Sequence, residues 1–145
     1  MGSRLAPLAM MLLVGCHDAA QSNLDSAQHR WATARPTAYE TVVRRSCFCP
    51  DIDPYRVQVS GAEVTSAVRL SSDGIETDVA PADYQPWFTV EGLFSAVQQA
   101  IDEGVDRLDA SYDPQLGHPV RIVIDPHANA YDDETTYEVA RLDGL

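Results

Sequence analysis

Residues 39–50 read Tyr-Glu-Thr-Val-Val-Arg-Arg-Ser-Cys-Phe-Cys-Pro and predict a long β-strand around which the rest of the chain is organised. Side chains alternate between the two faces of a strand, so this pattern separates into two sets. One face carries Tyr39, Thr41, Val43, Cys47 and Cys49, and the other carries Glu40, Arg44 and Ser46. Arg45 interrupts the first set, while Val42 and Phe48 interrupt the second. We therefore expect both faces of the strand to be partly covered.

A helix and a β-hairpin are predicted on either side of this strand. Apolar residues at helical spacing predict a first helix from Leu24 to Ala34, which Ser22 or Asn23 could cap and Pro36 ends. After the strand, residues 55–70 alternate around Gly61 and predict a hairpin. Residues 71–87 show neither the helical spacing nor the strand alternation of apolar residues, and they are expected to form a long irregular loop.

A second helix and three more strands complete the predicted fold. Thr89 is a suitable cap, an apolar stripe follows it, and Gly104 is placed to end this helix. Alternating residues then predict strands at 108–112, 119–124 and 137–139. The order is helix, three strands, helix, three strands. We expect a single α+β domain over residues 24–145, in which both helices pack on one face of an antiparallel sheet.

Length and charge restrict the class of protein. The chain has 145 residues and a formal net charge of −12, with 22 acidic residues against 10 basic ones. Such a length suits one domain with its own hydrophobic core. The negative charge argues against binding to nucleic acid or to anionic lipid. No motif in the sequence predicts a cofactor.

The first residues predict an export signal that ends at a lipidated cysteine. Arg4 precedes an apolar run over residues 5–14, too short to span a bilayer, and Gly15-Cys16 follows. This resembles a bacterial lipoprotein signal, which implies a signal peptide over 1–15, a lipid on Cys16 and a short tether over 16–23. In such lipoproteins an aspartate after the cysteine commonly retains the protein in the inner membrane. His17 stands at this position here, so the same resemblance favours the periplasmic face of the outer membrane. The alternative is an ordinary signal peptide with an incidental cysteine.

The cysteine pair Cys47 and Cys49 is the first candidate for chemistry. With Cys16 carrying lipid, these two thiols remain in an oxidising compartment, which favours a disulfide. In an extended strand the Cα atoms of residues i and i+2 lie about 6.6 Å apart, near the limit for a disulfide, so a bend at Phe48 is required. The pair could be a structural clip, a redox pair or, with less support, part of a metal site.

Acidic residues near the end of the chain are the second candidate. The oxygen-bearing side chains of Asp125, Asn129, Asp132 and Asp133 could suit Ca²⁺, which prefers oxygen ligands. However, Ala130 stands where the helix–loop–helix calcium motif has glycine, and Thr136 where it has glutamate. The interpretation we favour is a solvated acidic turn without a metal.

Nucleophilic catalysis has little support in this sequence. The four histidines are scattered, and His118 and Asp113 are expected to act in a turn. We instead expect an interaction surface built from the loops 71–88 and 126–135. Its candidate residues are Tyr84, Trp87, Asp132, Asp133 and Glu134. Trp87 and Phe88 have a second interpretation, as a staple that fixes the following helix to the core.

Several sequence blocks resemble a bacterial family of lipoproteins of unknown function. The blocks are Arg-Ser-Cys-Phe-Cys-Pro at 45–50, Val-Gln-Val-Ser-Gly at 57–61, Phe-Thr-Val-Glu-Gly-Leu-Phe at 88–94, Tyr-Asp at 112–113, Gly-His-Pro at 117–119, Ile-Val-Ile-Asp at 122–125 and Asp-Asp-Glu at 132–134. The resemblance implies a secreted, anchored, non-catalytic α+β domain with no established activity. His118 stands where the resemblance leads us to expect an aromatic residue such as Tyr.

The expected function is that of a lipid-anchored cell-envelope protein acting as a non-catalytic binding module. Its expected partners are the membrane, through the lipid on Cys16, and an envelope protein. One alternative is a thiol–disulfide redox protein that uses Cys47 and Cys49. The other is an inhibitor-like module that blocks an envelope enzyme, which rests on general architecture alone.

Overall fold

The computed structural model describes residues 15–145, so the predicted signal peptide lies outside the described residues except for Gly15. Two α-helices are present, α1 (Gly15–Ala34) and α2 (Val90–Glu103). The strands are β1 (Ala38–Ser46), β2 (Tyr55–Ser60), β3 (Glu63–Leu70), β4 (Glu76–Asp78), β5 (Arg107–Tyr112), β6 (Pro119–Asp125) and β7 (Thr135–Gly144). Short 3₁₀ turns cover Pro81–Asp83 and Pro86–Phe88.

The seven strands form one antiparallel sheet in the order β4-β3-β2-β1-β7-β6-β5. The predicted α+β class, single domain and antiparallel sheet are confirmed. The strand count differs by one, because β4 lies within the segment predicted to be irregular. All three residues of β4 are exposed, so no alternation of apolar and polar side chains marks this strand in the sequence.

The start of α1 also differs from the prediction. We expected a tether over residues 16–23 and a helix from Leu24, whereas the helix begins at Gly15. Among the side chains described in α1, Leu24 is the first that is fully buried, and the sequence before it has no apolar stripe. The pair Ala19-Ala20 favours helix by intrinsic propensity, which hydrophobic periodicity does not detect. The segment expected to be a tether is therefore helical.

Strand β1 lies at the centre of the sheet, as its sequence predicts. It pairs with β2 on one side and with β7 on the other. The register with β7 shifts between Val42 and Val43, where Ala140 is the additional residue of the bulge. The Thr41 hydroxyl donates a hydrogen bond of 2.8 Å to the Arg141 carbonyl beside this bulge. Thr41, a buried polar residue, thus supplies a hydrogen-bond donor to the Arg141 carbonyl next to the bulge.

A single hydrophobic core joins both helices to one face of the sheet. The sheet contributes Tyr39, Val43, Tyr55, Val57, Val59, Ile122 and Val139; the helices contribute Leu24, Ala27, Trp31, Val90, Leu93, Phe94 and Val97. Trp31 of α1 packs edge-on against Tyr39, with ring centroids 5.5 Å apart. The prediction that Trp31 fixes the first helix to the sheet is confirmed.

The antiparallel order places three loops at one end of the sheet. They are the β1–β2 loop (47–54), the β3–β4 loop (71–75) and the β6–β7 loop (126–134), which we together call the loop end. The turn at Gly61 and the turn at 113–118 lie at the opposite end. The cysteine pair and the acidic segment therefore belong to the same end of the molecule.

Candidate functional site

Cys47 and Cys49 follow immediately after β1 and lie at disulfide distance. Their Cα atoms are 5.1 Å apart, within the usual range for a disulfide. The strand ends at Ser46, and residues 47–50 bend, which supplies the change of direction that the spacing requires. Both cysteines are half-buried, whereas Phe48 between them is exposed. The bend therefore directs the Phe48 side chain towards solvent.

The remainder of the β1–β2 loop is held to the sheet by polar contacts. The Tyr55 hydroxyl donates to the Asp51 carboxylate, and the Leu70 amide donates to the Pro54 carbonyl at 2.9 Å. Burial, reinforced by the hydrogen bond to Asp51, raises the pKa of Tyr55 to about 12. Asp53 lies 4.0 Å from Arg69. The loop is thus connected to two neighbouring strands.

The acidic β6–β7 loop is organised by contacts within the protein. His127 Nδ1 lies 2.8 Å from an oxygen of Asp133, and the Ala128 amide donates to Asp106 at 2.8 Å. Glu134 lies 3.7 Å from Arg107. Among the described side chains, those of residues 15 and 18–145, no group of three or more His, Cys, Asp or Glu is arranged to hold a metal ion. The calcium set of Asp125, Asn129, Asp132 and Asp133 is not brought together.

Trp87 is a core residue and does not belong to a surface. Its side chain is 6% exposed, and it packs against Tyr55 and Phe88 with ring centroids 5.6 and 4.8 Å away. The Arg45 guanidinium lies 5.4 Å from the Trp87 ring centroid. Tyr84 is half-buried, with its ring 6.3 Å from that of Phe88. The staple interpretation of Trp87 and Phe88 agrees with these contacts, and the surface interpretation of Trp87 does not.

The polar residues at the start of α2 connect the helix to the core. Thr89 caps it by accepting a hydrogen bond of 3.0 Å from the Gly92 amide, and the Tyr39 hydroxyl accepts from the Val90 amide at 3.1 Å. Burial raises the pKa of Tyr39 to about 12, so this hydroxyl stays protonated. A Cβ on Gly92 would meet the Pro86 carbonyl oxygen at 1.6 Å. Glycine is therefore required where the 3₁₀ turn touches the helix.

Glu91 joins the two helices. One of its oxygens accepts from the Trp31 indole nitrogen at 3.0 Å and from Arg35 at 2.6 Å. Its position in the first turn of α2 is also favourable, because a carboxylate stabilises the positive end of a helix dipole. This carboxylate thus has three stabilising interactions within the fold.

The turn 113–118 fixes the β5–β6 hairpin against α1. The Asp113 carboxylate accepts from the amides of Gln115 and Leu116 at 2.9 and 2.6 Å, which lowers its pKa. His118 is 7% exposed, and its ring lies 6.1 Å from that of Trp31. Burial lowers the pKa of His118, so the imidazole is neutral at pH 7. The predicted turn roles of Asp113 and His118 agree with this arrangement.

A cavity of about 490 Å³ lies between the amino-terminal half of α1 and the edge strand β5. The charged side chains among its described lining residues, Asp109 and Arg121, are paired elsewhere. Asp109 contacts Arg107 at 2.7 Å, and Arg121 contacts Glu138 at 3.4 Å. The other described lining residues are small or apolar, or carry a neutral amide or hydroxyl group. The described part of the lining therefore presents no charged group that is free to bind a ligand.

Sequence reasoning missed the exposed apolar residues of the loop end. Phe48, Ile52, Ile75 and Tyr131 all lie there and expose most of their side chains. Periodicity identifies apolar residues that face a core, and these four lie in loops without a period. A sequence signal does exist: a large apolar residue inside a loop rich in Asp, Pro and Gly has no helix or strand to bury it.

Comparison with known proteins gives a family and no molecular activity. The sequence profile of a family of unknown function, DUF6174, matches residues 23–143. Neither a curated protein nor a solved structure matches the chain. Within residues 15–145, the helices are too short or too polar to cross a bilayer.

Proposed function

This chain belongs to the family of unknown function DUF6174, and on that premise we propose that it is a lipid-anchored cell-envelope protein that acts as a non-catalytic binding module. Four polar residues of the sequence blocks at 88–94, 112–113 and 117–119 have structural roles. Thr89 caps α2, and Glu91 joins the two helices. Asp113 closes a turn, and His118 packs on Trp31. This is the observation that carries the proposal, because these four side chains are engaged within the fold, whereas a catalytic group has to reach a substrate.

The proposed anchor is a lipid on Cys16. It is supported by the apolar run over residues 5–14 and by the small residue Gly15 immediately before the cysteine. The proposed location is the periplasmic face of the outer membrane, favoured by His17 after the cysteine. Metabolic labelling with a fatty acid tests the anchor. We expect label on the wild-type chain and none on Cys16→Ser, whereas label on the variant would contradict lipidation.

The binding role is tested by crosslinking in cells. A photoreactive residue is placed at exposed positions on several faces of the domain, and the adducts are identified by mass spectrometry. A binding module should give a reproducible protein adduct from one face only. Adducts from every face, or from none, would contradict the proposal. If the captured protein is an enzyme, its activity with and without this domain tests the inhibitor-like alternative.

A thiol–disulfide redox role for Cys47 and Cys49 is a second candidate, favoured by the short distance between the two cysteines. In such a protein the reduced pair would transfer two electrons to a substrate disulfide and become oxidised itself. Reduction of insulin by dithiothreitol measures this directly. The binding module should not accelerate the reaction. A rate increase that disappears in Cys47→Ser would favour the redox protein.

A further inference from the structure

Exposed apolar side chains are concentrated at the loop end. Phe48 is 84% exposed, Ile52 57%, Ile75 60% and Tyr131 101%. In the described chain only Val120 and Leu145 are also large, apolar and exposed, and they lie outside the three loops. Single exposed apolar residues are common on protein surfaces, whereas a group of them marks an interaction site.

The three loops that carry these residues are neighbours. Strands β1 and β7 pair as far as Ser46 and Thr136, so the β1–β2 and β6–β7 loops leave the sheet side by side. The β3–β4 loop lies beyond β2. At about 4.8 Å between strands, the three loops span roughly 20 Å, a size that suits a protein interface.

Each loop is held in one conformation by contacts of its own. The β1–β2 loop has the Cys47–Cys49 pair and the Pro54–Leu70 hydrogen bond. In the β3–β4 loop the Ile75 amide donates to Asp73 at 3.0 Å, and the Ser71 amide donates to the Ile75 carbonyl at 3.1 Å. The β6–β7 loop has the His127–Asp133 and Ala128–Asp106 contacts. Ordered loops lose little entropy on binding, which favours recognition.

The charge of the loop end is of one sign. Its loops contain the acidic residues Asp51, Asp53, Asp73, Asp132, Asp133 and Glu134, and they contain neither arginine nor lysine. Of these, Asp73, Asp132 and Glu134 are exposed, and Glu134 lies 3.7 Å from Arg107. A second copy of this chain would bring the same charges together, and anionic lipid would be repelled. Electrostatic complementarity therefore selects a positively charged partner.

We propose that the loop end is a docking surface for a protein with a basic surface, into which Phe48 and Tyr131 insert as aromatic anchors. Aromatic side chains at the centre of an interface contribute much of the binding energy, and their faces attract arginine and lysine. The acidic residues around them would pair with the same basic surface. This inference rests on the proposed binding role and adds the contact residues and the chemistry of the partner.

The experiment places a photoreactive residue at Phe48 or Tyr131, and at Ala62 or Leu145 as controls at the opposite end of the sheet. The full-length chain is used in its own cells, and the crosslinked residues of the partner are mapped. We expect Phe48 and Tyr131 to capture the same protein, at a surface rich in arginine or lysine. The two control positions should not capture it.

Binding to the captured protein is then measured with matched variants. Phe48→Ser should weaken binding at least tenfold, whereas Leu145→Ser should not change it. Asp132→Asn should weaken binding severalfold at low salt and reduce its salt dependence, while Glu63→Gln, an exposed acid at the other end, should have no effect. Equal effects of the loop-end variants and their controls would overturn the proposal.

The outcomes separate this inference from the proposed function. Protein adducts from Ala62 or Leu145 alone would overturn the docking surface and leave the binding role in place. Lipid adducts alone, or adducts to a second copy of the chain, would also overturn the docking surface. No protein adduct from any of the four positions would contradict both proposals.

Discussion

Gly117 illustrates how one residue fixes the position of a hairpin. Its φ is +85°, a left-handed conformation that glycine adopts without strain. A Cβ at this position would lie 2.3 Å from the Ala27 carbonyl oxygen and 2.8 Å from the Arg30 Cβ. The turn 113–118 therefore approaches α1 closely only because Gly117 has no side chain.

Gly117→Ala should lower the free energy of unfolding by about 2–4 kcal/mol, because backbone strain and a clash with helix backbone act together. Gly74→Ala is the matched control. Gly74 has a similar φ of +84°, but a Cβ there meets nothing within 4 Å. Urea denaturation of both variants separates the two effects. Equal losses would show that the contact with α1 does not contribute.

Two tyrosines should respond in opposite directions to loss of the hydroxyl. The Tyr39 hydroxyl accepts a hydrogen bond from the Val90 amide, whereas the Tyr112 hydroxyl is buried and has no partner among the described residues. Tyr39→Phe should therefore lower the free energy of unfolding by about 1 kcal/mol, and Tyr112→Phe should raise it by up to about 1 kcal/mol. Tyr131→Phe, at a fully exposed side chain, is the control and should change nothing. The same sign for Tyr39→Phe and Tyr112→Phe would contradict these roles.

At the scale of elements, the contact between α1 and α2 depends strongly on one carboxylate. Glu91 accepts from both Trp31 and Arg35, so its loss leaves the buried indole donor without a partner. Glu91→Ala should lower the free energy of unfolding by about 1–2 kcal/mol, with the ion pair discounted because both side chains are partly exposed.

Glu103→Ala, at the other end of α2, is the control for Glu91→Ala. Glu103 is exposed, and within the described part of the chain its side chain accepts a hydrogen bond only from Gln99. Its negative charge lies at the carboxyl end of the helix, where the dipole does not favour it. Chemical denaturation should show almost no change for this variant. A loss as large as that of Glu91→Ala would mean that the contacts of Glu91 with Trp31 and Arg35 are not the cause of its effect.

The elements with the clearest patterns could be predicted from sequence. The hairpin around Gly61 and the helix from Thr89 to Gly104 are confirmed, because their side-chain period and their caps agree. Strand β4 and the first half of α1 were missed. Both lie where few side chains reach the core, so burial leaves no period in the sequence. Periodicity reports burial, and it detects exposed elements poorly.

The candidate site was predictable only in part. The sequence indicated the proximity of Cys47 and Cys49, and it indicated that the 126–135 segment is an acidic loop. It did not show that these segments share one end of the sheet, because that depends on β1 pairing with β7 across about 90 residues. The sequence also allowed both a surface and a core position for Trp87, and only the packing of the folded chain decides between them.

At the scale of the whole molecule, buried phenols should limit stability at high pH. Burial raises the pKa of Tyr39, Tyr55 and Tyr112 to about 12 each, whereas a phenol in an unfolded chain ionises near pH 10. Between these values the unfolded state binds fewer protons than the folded state. The free energy of unfolding should therefore be unaffected by these groups below about pH 10 and should fall as the pH rises towards 12.

Urea denaturation at pH 8, 10 and 11, together with phenolate absorbance of the folded protein, tests this expectation. Part of the tyrosine absorbance should appear only as the protein unfolds. Tyr112→Phe should make the alkaline loss of stability shallower, because it removes one of the three groups. An unfolding free energy that stays constant from pH 10 to 11 would contradict the burial of these hydroxyls.

The early start of α1 has a mechanical consequence. The helix has 20 residues, about 30 Å at 1.5 Å per residue, with Cys16 in its first turn. The Gln21 side chain of this helix exchanges two hydrogen bonds with the Gln98 side chain of α2, at 3.0 and 2.9 Å. With a lipid on Cys16, as proposed, a rigid helix and not a flexible tether would connect the domain to the membrane. The bilayer surface would then determine both the height of the domain above the membrane and the direction in which the domain faces.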